Sequence, residues 1–124
     1  MDNLEIKASE KSPYVLLDSN NGLIKISGVS DLDDALGFYF PVIQWLDNYV
    51  NKSRSNTKVE IEFKYYNTAS AKSLFEVLRR IAKLNTSEHK VDVKWYYQSD
   101  DEFMVEDIDH FSDIARLPIQ KVKK

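Results

Sequence analysis

The sequence predicts a two-layer α/β fold, a sandwich in which helices cover mainly one face of a mixed β-sheet. Apolar and charged residues alternate with a period of two in residues 57–66 and again in 89–97, which is typical of strands with one buried face. Between them, residues 69–84 carry apolar side chains at three- and four-residue steps, which indicates a helix. Strands covered by helices on both faces would be apolar almost throughout. We therefore expect the second face of this βαβ unit to remain uncovered.

The chain before this unit predicts three strands and a helix. Residues 4–8 form a short strand, and residues 14–18 and 23–27 form a hairpin, because the turn Ser19-Asn20-Asn21-Gly22 tolerates positive φ. In the helix that follows, the N-cap candidates are Ser30, Asp31 and Asp33, and the predicted buried positions are Ala35, Phe38, Val42, Trp45 and Tyr49. Pro41 lies inside this pattern, so a kink or break is expected there. A polar loop, 51–56, leads to the next strand.

The inward and outward faces of the later elements follow from the same counting. Strand 57–66 is predicted to point Val59, Ile61, Phe63 and Tyr65 inward and Lys58, Glu60, Glu62, Lys64 and Tyr66 outward. In strand 89–97, Val91, Val93, Trp95 and Tyr97 point inward, and Asp92, Lys94 and Tyr96 point outward. Residues 99–102 match a capping box that opens an acidic helix with Met104, Ile108, Phe111 and Ala115 inward. An edge strand over about 117–122 ends the chain.

The composition of the chain excludes several classes of function. The 124 residues are expected to form one domain, 1–124, and the net charge of −3 argues against a nucleic-acid surface. Without cysteine there is no disulfide framework and no thiol chemistry. No secretory signal and no apolar stretch of about 20 residues is present, so no membrane partner is expected and the location is predicted to be cytoplasmic.

The sequence has few residues of the types that usually catalyse reactions or bind metals. His89 and His110 have no metal-ligand spacing and are predicted to lie on the surface, and the three glycines form no phosphate loop. We therefore predict no catalytic residue, no metal and no cofactor, and a protein that is not an enzyme. An alternative is a small ligand- or metal-binding domain, or an enzyme, that uses the acidic segment 100–113. A solvated helix face explains those acids more simply.

One junction combines several features of a regulatory site. Residues 65–72, Tyr-Tyr-Asn-Thr-Ala-Ser-Ala-Lys, join the predicted strand to the predicted helix at the carboxyl edge of the sheet. Either Asn67 or Thr68 is expected to cap the helix through its side-chain oxygen. A phosphate on the Thr68 hydroxyl would be tolerated, because a helix N-terminus presents free amides and the positive end of the helix dipole.

Four segments together resemble the SiaC family of bacterial regulatory phosphoproteins. They are Ile24-Lys25-Ile26-Ser27-Gly28, the segment from Phe38 to Leu46 (Phe-Tyr-Phe-Pro-Val-Ile-Gln-Trp-Leu), Tyr66 to Lys72, and Val93-Lys94-Trp95-Tyr96-Tyr97 followed by acids. The resemblance spans almost the whole chain. It implies a fold similar to the STAS domain of anti-sigma-factor antagonists.

The same resemblance implies a partner-switching function. Thr68 matches the threonine that a dedicated kinase, related to the SiaB proteins, phosphorylates in the family. A metal-dependent Ser/Thr phosphatase reverses the modification, and the unphosphorylated form binds and activates a diguanylate cyclase, so that it controls cyclic-di-GMP output. For this protein the resemblance implies a target that is a diguanylate cyclase or another effector.

A partner-binding patch is predicted around Thr68. Its residues are Tyr66, Asn67, Ser70, Lys72 and Tyr96. Tyr66 and Tyr96 are expected on the outward, charged face of the sheet, where they form an amphipathic contact surface or only cover each other. Ser70 and Ser73 are lesser candidates for phosphorylation.

Overall fold

The computed structural model describes residues 1–52 and 56–124, which form six strands and three helices. Part of the predicted loop 51–56 lies outside the described residues. The strands are β1 (Leu4–Ile6), β2 (Tyr14–Asp18), β3 (Leu23–Ser30), β4 (Asn56–Tyr66), β5 (Lys90–Tyr97) and β6 (Gln120–Lys123). The helices are α1 (Ala35–Tyr49), α2 (Thr68–Ala82) and α3 (Glu102–Ala115). The last strand begins three residues later than predicted, after Pro118.

The strands lie in the sheet in the same order as in the chain. β1, β2 and β3 are antiparallel neighbours, and β3, β4, β5 and β6 are parallel to one another. One helix connects each parallel pair, and α1 packs on α2, which packs on α3. Successive crossovers of the usual right hand in one direction place all their helices on the same face. This confirms the predicted two-layer sandwich, with helices on one face of a mixed sheet.

The hydrophobic core fills the space between the two layers. Its largest completely buried side chain is Trp95 of β5, whose ring stacks on Phe111 of α3 with the ring centroids 5.2 Å apart. The four inward positions predicted for α3, from Met104 to Ala115, are all buried. Within residues 1–52 and 56–124, no helix combines the length and apolar character needed to cross a bilayer.

A β-bulge changes the orientation of side chains at the end of β4. Gly28 pairs with Phe63, but Val29 pairs with Tyr65, so Lys64 is an extra residue on β4. An extra residue inverts the alternation beyond it. Tyr65 is therefore exposed and Tyr66 turns toward the helices, so the predicted faces of both tyrosines are wrong.

The starts of two helices differ from the predictions. The N-cap of α1 is Asp34, whose carboxylate accepts the Gly37 N–H at 3.0 Å, and not one of the candidates Ser30, Asp31 and Asp33. The predicted capping box is wrong as well. Asp101 is the N-cap of α3, and its carboxylate accepts the Met104 N–H at 3.1 Å.

Of the kink or break predicted at Pro41, the break is wrong and the kink stays a prediction. α1 continues to Tyr49, because Pro41 and Gly37 are exposed and water can reach the carbonyl that loses its helical partner.

His89 lies in the interior, which corrects the prediction of a surface residue. Its Nε2 is 2.8 Å from the Thr57 hydroxyl, which is also 2.8 Å from the Tyr49 hydroxyl. This network joins the end of α1 to the start of β4, at the edge of the sheet opposite Thr68. Burial lowers the pKa of the His89 imidazole, because a charged ring would lose its hydration.

We expect acid to destabilise the protein through His89. Because the pKa of His89 is lower in the folded protein, the unfolded chain binds its proton at a higher pH. The contribution of His89 to the free energy of unfolding is therefore fully present above about pH 7 and is lost as the pH falls below about 6.5. Urea unfolding between pH 5 and 8 should show a flatter profile for His89→Gln. The exposed His110 provides the control. An equal flattening in His110→Gln would contradict this assignment.

Candidate functional site

The side chain of Asn67 organises the junction between β4 and α2. Its Oδ1 accepts the Ser70 N–H at 2.8 Å, so Asn67 is the N-cap of α2. Its Nδ2 donates to the Leu32 carbonyl at 2.9 Å and contacts Asp31 Oδ1 at 3.3 Å. The Asn67 N–H donates to the Ser30 carbonyl at 3.0 Å. One residue thus fixes the start of α2 against the loop that leads into α1.

Thr68 is the first residue of α2 and is exposed. Because Asn67 supplies the cap, the Thr68 hydroxyl is not needed to satisfy the helix end. The N–H groups of Thr68 and Ala69 belong to the first turn, where an α-helix offers no backbone acceptor. A phosphate at this position would meet free amides and the positive end of the helix dipole.

A buried hydroxyl network lies beneath Thr68. The Ser30 hydroxyl donates to the Ser70 hydroxyl at 2.8 Å and lies 2.8 Å from the Tyr39 hydroxyl. Burial raises the pKa of Tyr39 to about 12, although the bond with Ser30 opposes the shift. Ser70 has no exposed surface and Ser73 is buried. The predicted partner contact of Ser70 is therefore wrong, and neither serine presents a hydroxyl for phosphorylation.

Lys72 is exposed one turn after Thr68, on the same side of α2. It lines a shallow groove between the first turns of α1 and α2. The groove is lined by Asp33, Asp34, Ala35, Leu36, Ala69, Lys72, Ser73 and Glu76. Lys72 is close enough along the helix to pair with an anion on Thr68. The partner contacts predicted for Asn67 and Lys72 stay predictions.

Tyr66 connects the junction to α3. Its hydroxyl donates to the Asp107 carboxylate, and its ring contacts Phe63 and Phe111 with centroids 5.8 and 5.7 Å away. Burial raises the pKa of Tyr66, and the bond to Asp107 raises it further. Tyr66 therefore belongs to the packing between sheet and helices, and not to the outer face where it was predicted.

Tyr96 does lie on the outer face of the sheet, as predicted. It lines a depression with Lys25, Ser27, Glu60, Glu62 and Lys124. Two ion pairs span this surface, Lys25 with Glu60 at 4.0 Å and Lys124 with Glu62 at 2.9 Å. The sheet separates this depression from the helix layer that carries Thr68, so Tyr96 and Thr68 do not form one patch. A partner contact of Tyr96 stays a prediction.

The sequence pattern missed three exposed apolar residues near Thr68. Leu36, Phe40 and Phe103 retain 65%, 53% and 81% of their accessible surface. A signal was present, because each one lies outside the apolar stripe that its helix buries. Phe103 directly follows three acidic residues, 100–102, and this polar context also indicates an exposed position.

Three of the seven acidic residues in segment 100–113 have structural partners. Asp101 caps α3, Asp107 accepts from Tyr66, and Asp109 pairs with Lys121 at 2.7 Å. Among the described residues, no group of three or more histidine, aspartate or glutamate side chains is arranged to hold a metal ion.

The fold and the junction define a two-layer α/β domain that displays an exposed threonine on a capped helix N-terminus. The chain belongs to the SiaC family, described as SiaC family regulatory phosphoproteins, whose family model matches residues 6–124. An uncharacterized protein of Pseudomonas aeruginosa (strain UCBPP-PA14) is 20% identical over 118 residues, which are 95% of this chain and 94% of that protein.

Solved structures show the same fold. Apo-SiaC from Pseudomonas aeruginosa superposes with a TM-score of 0.86 at 20% identity, covering 98% of this chain and 99% of that one. SiaC in complex with the diguanylate cyclase SiaD, which it activates, gives 0.88 at 19% identity, with coverage of 98% and 99%. The family model confirms the predicted family, and the solved structures confirm the fold. The likeness to the STAS domain stays a prediction.

The cap assignment predicts different costs for neighbouring substitutions. Asn67→Ala should lower the free energy of unfolding by about 1–2 kcal/mol, because the cap and the bond to the Leu32 carbonyl are both lost. Thr68→Ala should cost less than about 0.5 kcal/mol, as expected for an exposed residue without a capping role. Urea unfolding measures both values. A larger cost for Thr68→Ala would reverse the assignment.

The Tyr66–Asp107 bond predicts a second difference. Tyr66→Phe should destabilise the fold by about 1 kcal/mol, because the hydroxyl donates to a carboxylate. Tyr65→Phe is the matched control, since Tyr65 is exposed. The same cost for both variants in thermal unfolding would show that the bond does not contribute. Tyr66→Ala should destabilise the fold further, because its contacts with Phe63 and Phe111 are lost as well.

Proposed function

We propose that this protein is a phosphorylation-switched activator of a diguanylate cyclase and has no catalytic activity of its own. Its unphosphorylated form binds the cyclase. A kinase related to the SiaB proteins phosphorylates Thr68 and so releases the cyclase, and a metal-dependent Ser/Thr phosphatase restores binding. Kinase and cyclase consume ATP and GTP, so this function belongs in the cytoplasm.

The observation that carries the proposal is the division of roles between Asn67 and Thr68. Asn67 caps α2 and fixes the loop before α1, while Thr68 is exposed beside it. A kinase needs a hydroxyl that it can reach without opening the fold. Ser70 and Ser73 fail that requirement because they are buried. Membership of a family of regulatory phosphoproteins agrees with a modifiable hydroxyl at this junction.

The effector is proposed from the relative of known structure. SiaC of Pseudomonas aeruginosa is the activator of the diguanylate cyclase SiaD and forms a complex with it. The superposition covers 98% of this chain and 99% of that SiaC at a TM-score of 0.88. A diguanylate cyclase is accordingly the class of effector that we assign. The acidic segment 100–113 does not favour a second function, because Asp101, Asp107 and Asp109 already have structural partners.

The phosphorylation site is tested with the kinase encoded in the same genome. Incubation with ATP should add one phosphate to the wild type, and peptide mass spectrometry should place it on Thr68. Thr68→Val should accept none, whereas Ser70→Ala and Ser73→Ala should be modified normally, because Ser70 has no exposed surface and Ser73 retains only 6% of its accessible surface. Phosphate that persists on Thr68→Val would refute the assignment.

The activating role is tested with the purified diguanylate cyclases of the same organism. Unmodified wild type should raise the rate of cyclic-di-GMP synthesis by one of them, and the phosphorylated protein should not. Thr68→Val, which cannot be modified, should activate that cyclase even in the presence of kinase and ATP. Equal activation by the phosphorylated and unmodified forms would refute the switch.

A further inference from the structure

We propose that the first turns of the three helices form a docking platform around Thr68, and that its occupant is an amphipathic helix of the effector with apolar residues flanked by basic ones. The platform consists of Leu36 and Phe40 on α1, Thr68, Ala69 and Lys72 on α2, and Phe103 on α3. This inference rests on the proposed function, because it names the surface through which that effector is bound.

The topology brings these residues to one edge. Each helix follows one of three consecutive parallel strands, so all three helices begin at the carboxyl edge of the sheet. Leu36, Ala69 and Phe103 are each the second residue of their helix. The groove between α1 and α2 is lined by Leu36 together with Ala69 and Lys72, which places the α1 side of the platform beside Thr68.

The α3 side follows from the packing of α2 on α3. Phe75 contacts both His110 and Phe111, with ring centroids 5.8 and 4.3 Å away. The two helices run in the same direction. Seven residues are close to two helical turns. The residues seven positions before the contacting pair Phe75 and His110 are Thr68 and Phe103, so these two lie at the same level of the neighbouring helices. Thr68 therefore lies between apolar side chains of the two flanking helices.

The exposure of these apolar side chains is unexplained by the fold. Phe103 retains 81% of its surface, and Leu36 and Phe40, one turn apart on α1, retain 65% and 53%. Each helix buries a different stripe against the sheet. Large apolar residues grouped on a surface are typical of protein interfaces, and buried aromatic residues contribute most to binding.

The charges around the platform define its occupant. Segments 31–36 and 100–107 contain eight acidic residues and no basic one, whereas segment 66–72 between them contains no acidic residue and one basic residue, Lys72. An acidic rim around apolar anchors fits a helix with an apolar stripe and flanking Lys or Arg residues. A phosphate on Thr68 would have to be covered by the docked helix, because Thr68 lies between the apolar residues of α1 and α3. Covering a dianion with apolar side chains opposes binding.

Two designed peptides test this surface without any cyclase. The first is an amphipathic Leu/Lys helix of about five turns, and the second replaces every Lys by Glu. We expect the Leu/Lys peptide to bind the wild type in calorimetry and to shift backbone amide NMR signals of the first turns of α1, α2 and α3. Leu36→Ser and Phe103→Ser should each weaken binding by about tenfold or more. Thr68 phosphorylation should weaken it as well.

Ile114→Ser is the matched control, because Ile114 is an exposed apolar residue at the far end of α3. It should bind the peptide as the wild type does, and all variants should keep the wild-type melting curve. The proposal is overturned if neither peptide binds, if the Leu/Glu peptide binds equally well, or if the shifts map to the outer sheet face around Tyr96. Equal binding by Phe103→Ser and Ile114→Ser would also overturn it.

The cyclase assay separates the two proposals. If a cyclase is activated by Ile114→Ser but not by Phe103→Ser, both the function and the platform are supported. Normal activation by Leu36→Ser and Phe103→Ser would refute the platform and leave the proposed function intact. Peptide binding at the platform without activation of any cyclase would refute the proposed function and support the platform.

Discussion

The rest of the site depends on the hydrogen bonds of one side chain, that of Asn67. Its oxygen caps α2, and its nitrogen holds the Leu32 carbonyl, so the start of α2 and the approach to α1 are fixed together. Directly beneath, the Ser30 hydroxyl bridges Ser70 of α2 and Tyr39 of α1. These bonds satisfy the polar groups at the junction without the Thr68 hydroxyl. The Thr68 hydroxyl therefore has no capping role, because Asn67 makes the hydrogen bond that a threonine at a helix start often makes.

Local periodicity was sufficient to predict the layers, since it records which face of each element is buried. The inward sets of β5 and α3 and the one-sided character of the sheet all followed from spacing. The faces of Tyr65 and Tyr66 did not, because the bulge depends on how β4 pairs with β3 at Gly28. Counting along one strand cannot show an extra residue that exists only relative to its neighbour. The position of Asn67 and Thr68 at the start of α2 was predictable, but the choice between them as cap depended on contacts with the distant Leu32.

Polar residues were misjudged where their partners are remote in sequence. Ser70 is hydrogen-bonded to Ser30, forty positions earlier, and His89 is hydrogen-bonded to Thr57, thirty-two positions earlier. A serine or histidine considered alone is expected on the surface, because burial without a partner costs about 1–3 kcal/mol. Only the assembled sheet shows that these groups have partners. The apolar residues Leu36 and Phe103 are the converse case, since their exposure appears only once the buried stripes are known.

The sequential order of the parallel strands explains how one edge can carry both the proposed modification site and the proposed binding surface. Three helices that follow three consecutive strands must begin side by side, and each start requires a cap, which Asp34, Asn67 and Asp101 provide. Their buried stripes continue inward, so any additional apolar residue in a first turn faces the solvent at that edge. Burying one such Phe in an interface contributes about 1.5–3 kcal/mol, whereas an unpaired buried ion costs several kcal/mol. Burying a phosphate on Thr68 without its full set of partners would therefore offset the contribution of an aromatic anchor beside it. The proposed switch would need no change of fold, because it would act on the balance between those two energies at the surface.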